Sequence, residues 1–175
     1  MSMEKSPLSW HVAHTAPRAE KKVHARLEGL GYECYCPLSR VRRKWSDRMK
    51  WVYEPVFRSY VFVRIPRADM PKTLQVPGLV RFLFHEGQPA VVREGEIDII
   101  RRFLLDFEGV SSRPITEDDS ETTVLEPGSK VRVLAGMLMG HEGLVLRMRN
   151  NQLIVRITSL DQELVASIDP ELIGQ

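Results

Sequence analysis

The chain has 175 residues, of which 43% are hydrophobic and 27% charged, with 25 Lys/Arg against 23 Asp/Glu. Such a composition describes a soluble globular protein of one ordinary domain or two small ones. No apolar run approaches the ~18 residues of a membrane span, and the N-terminus has no apolar stretch long enough for a secretory signal, so a cytoplasmic, non-membrane protein is expected.

The net charge of +2 hides an asymmetry. Residues 1–107 hold 19 Lys/Arg and 12 Asp/Glu, a balance of +7, whereas residues 108–175 hold 6 and 11, a balance of −5. The split predicts two units with different partners, the first of them suited to a polyanion.

In chain order, SWHVAHT (9–15) alternates weakly and predicts a first strand. APRAEKKVHARLEGLGY follows as a helix, with Pro17 near its start and Gly31 as its stop. Ala19, Val23, Leu27 and Leu30 form its apolar stripe. Arg18, Lys22 and Arg26 form a neighbouring basic stripe, which reads either as a solvated face or as a polyanion contact. YECYCPLSRV predicts the next strand. Its Cys34 and Cys36, the only two cysteines, lack a second pair for zinc, and bridging strand residues i and i+2 is awkward, so reduced thiols are expected.

RVRRKWSDRMK (40–50) carries six basic residues, one acid and a Trp. Lying between two strand-like segments, it predicts a hairpin tip or long loop. It reads as a charged solubilising loop or as a phosphate-tracking one, in which Arg40, Arg42, Arg43 and Lys44 displace counterions and Trp45 stacks on a base. EPVFRSYVFVRI (54–65) then predicts a strand with Val61, Val63 and Ile65 on one side and Arg58, Tyr60, Phe62 and Arg64 on the other. Phe57 has the opposite parity from Tyr60, so the two share a face only if the chain twists or bulges near Arg58–Ser59.

RADMPKTLQ predicts a short helical piece, VPGLVRFLFHEGQPAVV a strand, turn and strand, and REGEIDIIRRFLLDF a helix lined by Ile97, Ile100, Leu104 and Phe107. The order β, α, β, β, α, β, α predicts an α+β domain with an antiparallel or mixed sheet and packed helices. Residues 108–124, rich in Ser, Thr and acids, read as a flexible acidic linker. From 125 onward, SKVRVLAG, HEGLVLRM, NQLIVRIT and ELVASI predict short strands closing into a small barrel.

Residues 131–157, with Gly-x-x-x-Gly-x-x-Gly between hydrophobic strands, resemble a KOW motif. Upstream, Trp10, the EKKV helix, CPL, EPVFRSYVFV and VPGLVRF resemble the NGN domain of NusG. Together these cover nearly the whole chain and are similar to a NusG-family transcription elongation factor. The finer resemblance is to the specialised RfaH-like paralogues, which relieve pausing and termination in polysaccharide operons. PRAEKKV, CYCPLSRVRRKWSDRMK and EPVFRSYVFV carry it, although Arg58 stands where Pro is usual.

The resemblance implies an NGN domain with a four-stranded sheet (1–107), the linker (108–124) and an SH3-like KOW β-barrel (125–175). It implies that Phe57, Tyr60 and Phe62 form a cavity for the β′ clamp helices of RNA polymerase, with a bridge toward the β lobe. The competing reading makes all three ordinary core aromatics. His14 and His85 are placed at the cavity rim or are plain strand histidines. Non-template or upstream DNA would lie on the basic helix and loop, and the KOW unit would recruit a ribosomal protein or Rho. Glu54 takes the position of an acid that RfaH-like proteins use in a domain interface.

Three other readings compete. One is a housekeeping NusG-type factor coupling polymerase to Rho or the ribosome. Another is an RNA-binding KOW protein, which the −5 balance of residues 108–175 opposes. The third is an enzyme, for which the sequence shows no phosphate loop, metal-ligand cluster or Ser/His/Asp arrangement. A monomer without cofactor or metal is expected.

Overall fold

The computed structural model describes residues 7–115, 132–133, 146–149, 152–167 and 173–174. They fall into two compact units, Met1–Pro37 with Phe57–Ile97 and Leu38–Val56 with Asp98–Gln175. This division differs from a single boundary at residue 107, because Leu38–Val56 belongs with the C-terminal residues.

The first unit is built on a five-stranded sheet. β1 (Ser9–Thr15) lies between β5 (Tyr60–Ile65) and β6 (Leu79–Phe82), β2 (Glu33–Tyr35) flanks β5, and the short β9 (Val91–Val92) also pairs with β1. Every pairing is antiparallel. The ribbon of β7 (Phe84–His85) and β8 (Gln88–Pro89) stands apart as its own two-stranded sheet.

β5 differs from a strand with one core face and one mixed face. Its register sets Val63 beside His11 and Val61 beside Ala13 on one side, and Phe62 beside Val12 and Arg64 beside Trp10 on the other. Ala13, Val61, Val63, Val12, Phe62 and Trp10 are all buried. Both faces of the strand centre are therefore core, and polarity appears only toward its ends. Trp10 donates its Nε1–H to Glu94 (2.8 Å), which gives its single donor a partner despite burial.

Helix α1 (Glu20–Gly29) buries Val23 and Leu27. Leu30, expected on the same stripe, is instead exposed at the C-cap. Gly31 adopts φ 85°. Its N–H bonds to the Glu28 carbonyl and the Tyr32 N–H to the Leu27 carbonyl, the paired capping that a left-handed residue after a helix allows. Gly78 (φ 93°) brings its loop onto α1, where an added Cβ would meet Val23 at 3.0 Å. Short helix α2 (Met70–Thr73) follows a 3-10 turn at Arg67–Asp69.

Helix α3 (Glu94–Asp106) has Ile97, Ile100 and Phe103 buried. Phe103 joins the expected face, while Leu104 and Phe107 are only half-buried. At its start Glu96 accepts a hydrogen bond from the Arg93 N–H (3.1 Å), one half of a capping box.

The second unit holds the hairpin of β3 (Leu38–Lys44) and β4 (Met49–Pro55). It also holds a four-stranded antiparallel sheet in the order β10 (Ser111–Pro114), β14 (Gln162–Ser167), β13 (Gln152–Ile157), β12 (Leu146–Arg149). A further pair joins β11 (Arg132–Val133) and β15 (Ile173–Gly174). The strands expected around 146–167 are present. The Gly-x-x-x-Gly-x-x-Gly segment and residues 116–131 lie outside the described residues.

Residues 111–114, which composition assigned to a linker, are a strand paired with β14. Hydrogen bonds compensate for the lack of apolar side chains. The Val110 N–H donates to Ser39 Oγ (2.8 Å), Ser112 Oγ–H to the Val56 carbonyl (2.8 Å) and the Gly109 N–H to the Arg40 carbonyl (2.9 Å). Arg113 donates twice to Glu163 (3.1 and 3.2 Å), whose other oxygen accepts from Arg156 (3.3 Å). Glu163 is 1% exposed, a buried carboxylate held between arginines from the two neighbouring strands.

Candidate polymerase and nucleic-acid surfaces

The first candidate surface begins at the end of β5. Residues 58–59 form a turn in which Ser59 takes φ 64°, and the Tyr60 N–H returns to the Phe57 carbonyl (3.3 Å). The buried carboxylate of Glu20 accepts the Ser59 N–H (2.7 Å) and fixes that left-handed residue. The turn brings Phe57 and Phe62 edge to face at 5.6 Å despite their opposite parity. Tyr35 stacks on Phe62 at 6.2 Å.

Burial separates the three aromatics assigned to a cavity. Phe57 (2% exposed) and Phe62 (0%) are core residues and present no surface to a partner. Tyr60 is half-buried. Its cross-strand neighbour is His14, with the rings edge to face at 5.5 Å. His14 is paired on its other side with the exposed Arg81, so Tyr60, His14 and Arg81 form one row across three strands. His14 Nδ1 is buried without a hydrogen-bond partner. His85 lies on the separate β7–β8 ribbon, exposed and 3.8 Å from Glu86, and is not part of the row.

Arg18, at φ 62° before α1, and Lys22 and Arg26 on the helix are exposed. Arg26 donates to the Pro77 carbonyl (2.6 Å), which ties its head to the Gly78 loop. Burial and neighbouring carboxylates raise the thiol pKa of Cys34 to about 11, while burial, Glu20 foremost among the nearby charges, pushes Cys36 up to about 12. Both thiols therefore stay protonated at neutral pH. Among the described residues no cluster of three or more His, Cys, Asp or Glu could hold a metal, and no helix is long and apolar enough to cross a membrane.

The β3–β4 hairpin is the second candidate surface. The 40–50 segment is mostly strand, and the tip is only Trp45–Arg48, closed by hydrogen bonds between those two residues. Register pairs Arg40 with Tyr53, Arg42 with Trp51 and Lys44 with Met49, placing all six on one face, every one exposed. The opposite face pairs Val41 with Val52 and Arg43 with Lys50. Arg43 is committed to Glu54 by two hydrogen bonds (2.7 and 2.5 Å), and Arg40 to Glu108 (3.1 Å). The guanidiniums of Arg40 and Arg42 lie 4.4 and 5.5 Å from the Trp51 ring centre, and Lys50 lies 5.3 Å from that of Trp45. Trp51, Tyr53 and Met49 were not singled out from the sequence. The alternation R-x-R-x-K opposite M-x-W-x-Y becomes visible once the tip is placed at 45–48.

The family model described as transcription termination factor NusG matches residues 8–101. No curated protein matches the chain. Among solved structures, one titled for domain interaction in Thermotoga maritima NusG is 20% identical and covers 95% of this chain and 96% of that chain at a TM-score of 0.51. The MjSpt4:Spt5 complex, in conformations A and B, is 12% and 13% identical. Each covers 94% of this chain, and 96% and 95% of those chains, at TM-scores of 0.32 and 0.31.

Proposed function

Because the chain belongs to the NusG family of transcription factors, with over half its residues inside the family match, we propose that it is an elongation factor that binds RNA polymerase and suppresses pausing and termination at particular operons. The observation that carries this reading is the half-buried Tyr60–His14 pair, whose edge-to-face rings and unsatisfied Nδ1 sit in one row with the exposed Arg81. An aromatic anchor with a charged rim is what a helix pair of the polymerase clamp would need as a hot spot. Phe57, packed on Phe62, holds the start of β5 through the hydrogen bond from the Tyr60 N–H to its carbonyl.

The mechanism is binding without chemistry. A ligand that prefers the elongating polymerase over the paused one shifts the population toward elongation by its difference in affinity. Arg42, Lys44 and Trp45 on the hairpin, with Arg18 and Lys22 near α1, contribute contacts to the DNA that the polymerase exposes. Residues 146–167 would form part of a KOW barrel that recruits a second partner, either a ribosomal protein or Rho. The specialised role, over a housekeeping one, rests on the PRAEKKV and CYCPLSRVRRKWSDRMK segments. Run-on transcription through a terminator, with core polymerase and the full chain, tests the proposal. Read-through should rise with added protein, and unchanged termination with no co-purification with polymerase would refute it.

A further inference from the structure

The outer face of the β3–β4 hairpin combines features that a duplex-binding surface does not need. Trp51, Tyr53 and Met49 are 41%, 58% and 50% exposed, and Trp45 at the tip is 54% exposed. Leaving three aromatic rings in water forfeits burial that a core would supply. These rings stand among cations. Residues 40–50 hold six basic residues and one acid, and among the described residues no carboxylate pairs with Arg42, Lys44, Arg48 or Lys50. A polyanion satisfies the charges, but only one with accessible flat faces satisfies the rings.

We propose that this face is a base-stacking platform for single-stranded DNA, a reading that deepens the nucleic-acid role proposed above and rests on it. The spacing argues for a single strand. Trp51 and Tyr53 are alternate residues of one strand, hence about 6.6 Å apart along it. Adjacent bases in a duplex strand rise only about 3.4 Å, so bases seated at both positions must be unstacked from each other. In duplex DNA the base faces are closed, and the rings would meet only phosphates and groove edges. In a single strand each face is open and stacks on an aromatic ring or a guanidinium plane whatever its sequence. Arg40 and Arg42 already lie over the Trp51 ring, so a base stacks there on a guanidinium plane or on the ring once one of these side chains swings aside. Lys44, on the same face as Trp51, is positioned to take a phosphate as the strand leaves the tip.

The test is a fluorescence anisotropy titration of the full chain with a dT12 oligonucleotide, a duplex of equal length and an rU12 oligonucleotide. The dT12 strand should bind roughly tenfold or more tighter than the duplex. Trp51→Ala should weaken dT12 binding by about tenfold, with Trp51→Phe recovering most of it because a ring is retained. Duplex binding should be insensitive to either change. Should Trp51→Ala fold poorly, dT12 quenching of the exposed Trp51 component in a Trp45→Phe chain, over the constant emission of the buried Trp10, serves the same end. Quenching supports stacking, and its absence refutes it.

Equal or tighter duplex binding, or an unmoved Trp51→Ala, would overturn the platform while leaving phosphate contact by the hairpin intact. No binding to any probe would remove the nucleic-acid role itself. Preference for rU12 would overturn the assignment to DNA. A self-association in sedimentation that Trp51→Ala abolishes would make the face a contact between copies of this chain.

Discussion

Two stretches of this chain read almost alike and fold oppositely. FRSYVFVRI and RVRRKW with KWVYE both interleave aromatics with arginines and β-branched residues. In the first, Phe57 and Phe62 are sealed in the core; in the second, Trp45, Trp51 and Tyr53 are left in water. The difference is the number of neighbours. β5 has β1 on one side and β2 on the other, so side chains on both of its faces fall within a wide sheet that layers can cover. Among the described residues β3 and β4 pair only with each other, and a two-stranded ribbon is too narrow to bury one whole face. Burial of an aromatic follows from the sheet around it more than from its own alternation.

The largest expected effect is the contrast between two ring deletions. Phe62→Ala should cost about 3–5 kcal/mol of stability in urea denaturation, since it opens a cavity in a closed core. Trp51→Ala should cost no more than about 1 kcal/mol, the worth of an exposed cation–π contact. Similar losses for the two would break the comparison.

A smaller effect concerns residues 111–114. Removing Glu163 leaves Arg113 and Arg156 without their shared carboxylate. The arginine side chains are 37% and 40% exposed, so water compensates in part, and Glu163→Ala should cost about 2 kcal/mol rather than the full cost of breaking a buried pair. Amide exchange at Ser112 and Arg113 should accelerate in the same variant. Unchanged protection there would make the carboxylate irrelevant to that strand.

A third prediction concerns the buried His11 and pH. Burial lowers the pKa of His11 below its ordinary 6.5, Arg67 acting the same way and the Ala90 carbonyl opposing it. Because a carbonyl can only accept, the Nδ1 that lies 3.1 Å from it carries the proton of the neutral ring. The folded state thus binds its extra proton less readily than the unfolded chain. The stability contribution is complete above the unfolded pKa and is lost as pH falls through the lower folded value. Stability should therefore decline below about pH 6.5, by no more than about 1.4 kcal/mol per pH unit from this group. His11→Gln should remove that part of the slope, and an unchanged slope would contradict the role of the buried ring.

The smallest effect lies within the hairpin. Arg42→Gln or Lys44→Gln should each lower the log–log salt slope of binding to an elongation complex by up to about one. Arg43→Gln should lower it less, because that guanidinium is already engaged by Glu54. Equal slopes for all three would mean the Glu54 pair opens on binding.

Local rules made much of the molecule legible in advance. The Ser9–Thr15 strand, the Gly31 stop and the strands within 146–149 and 152–167 each follow from periodicity or from one backbone constraint. What stayed hidden depends on partners distant in sequence. The strand at 111–114 looked like a linker because its stabilising groups, Ser39, Val56 and Glu163, are contributed by other elements. Phe62 looked available because nothing in its own strand says that β2 and β1 flank it. The aromatic face of the hairpin is hidden in the sequence because the pairing of Arg42 with Trp51 shows only once the tip is narrowed to Trp45–Arg48.

The central claim is that the Tyr60–His14 row is where polymerase binds. A titration of the full chain and of Tyr60→Ala against the isolated β′ clamp helices tests it most directly. The account predicts a folded variant that binds about 30-fold more weakly, the ~2 kcal/mol of an aromatic anchor. A folded Tyr60→Ala chain with the parent's affinity would contradict it.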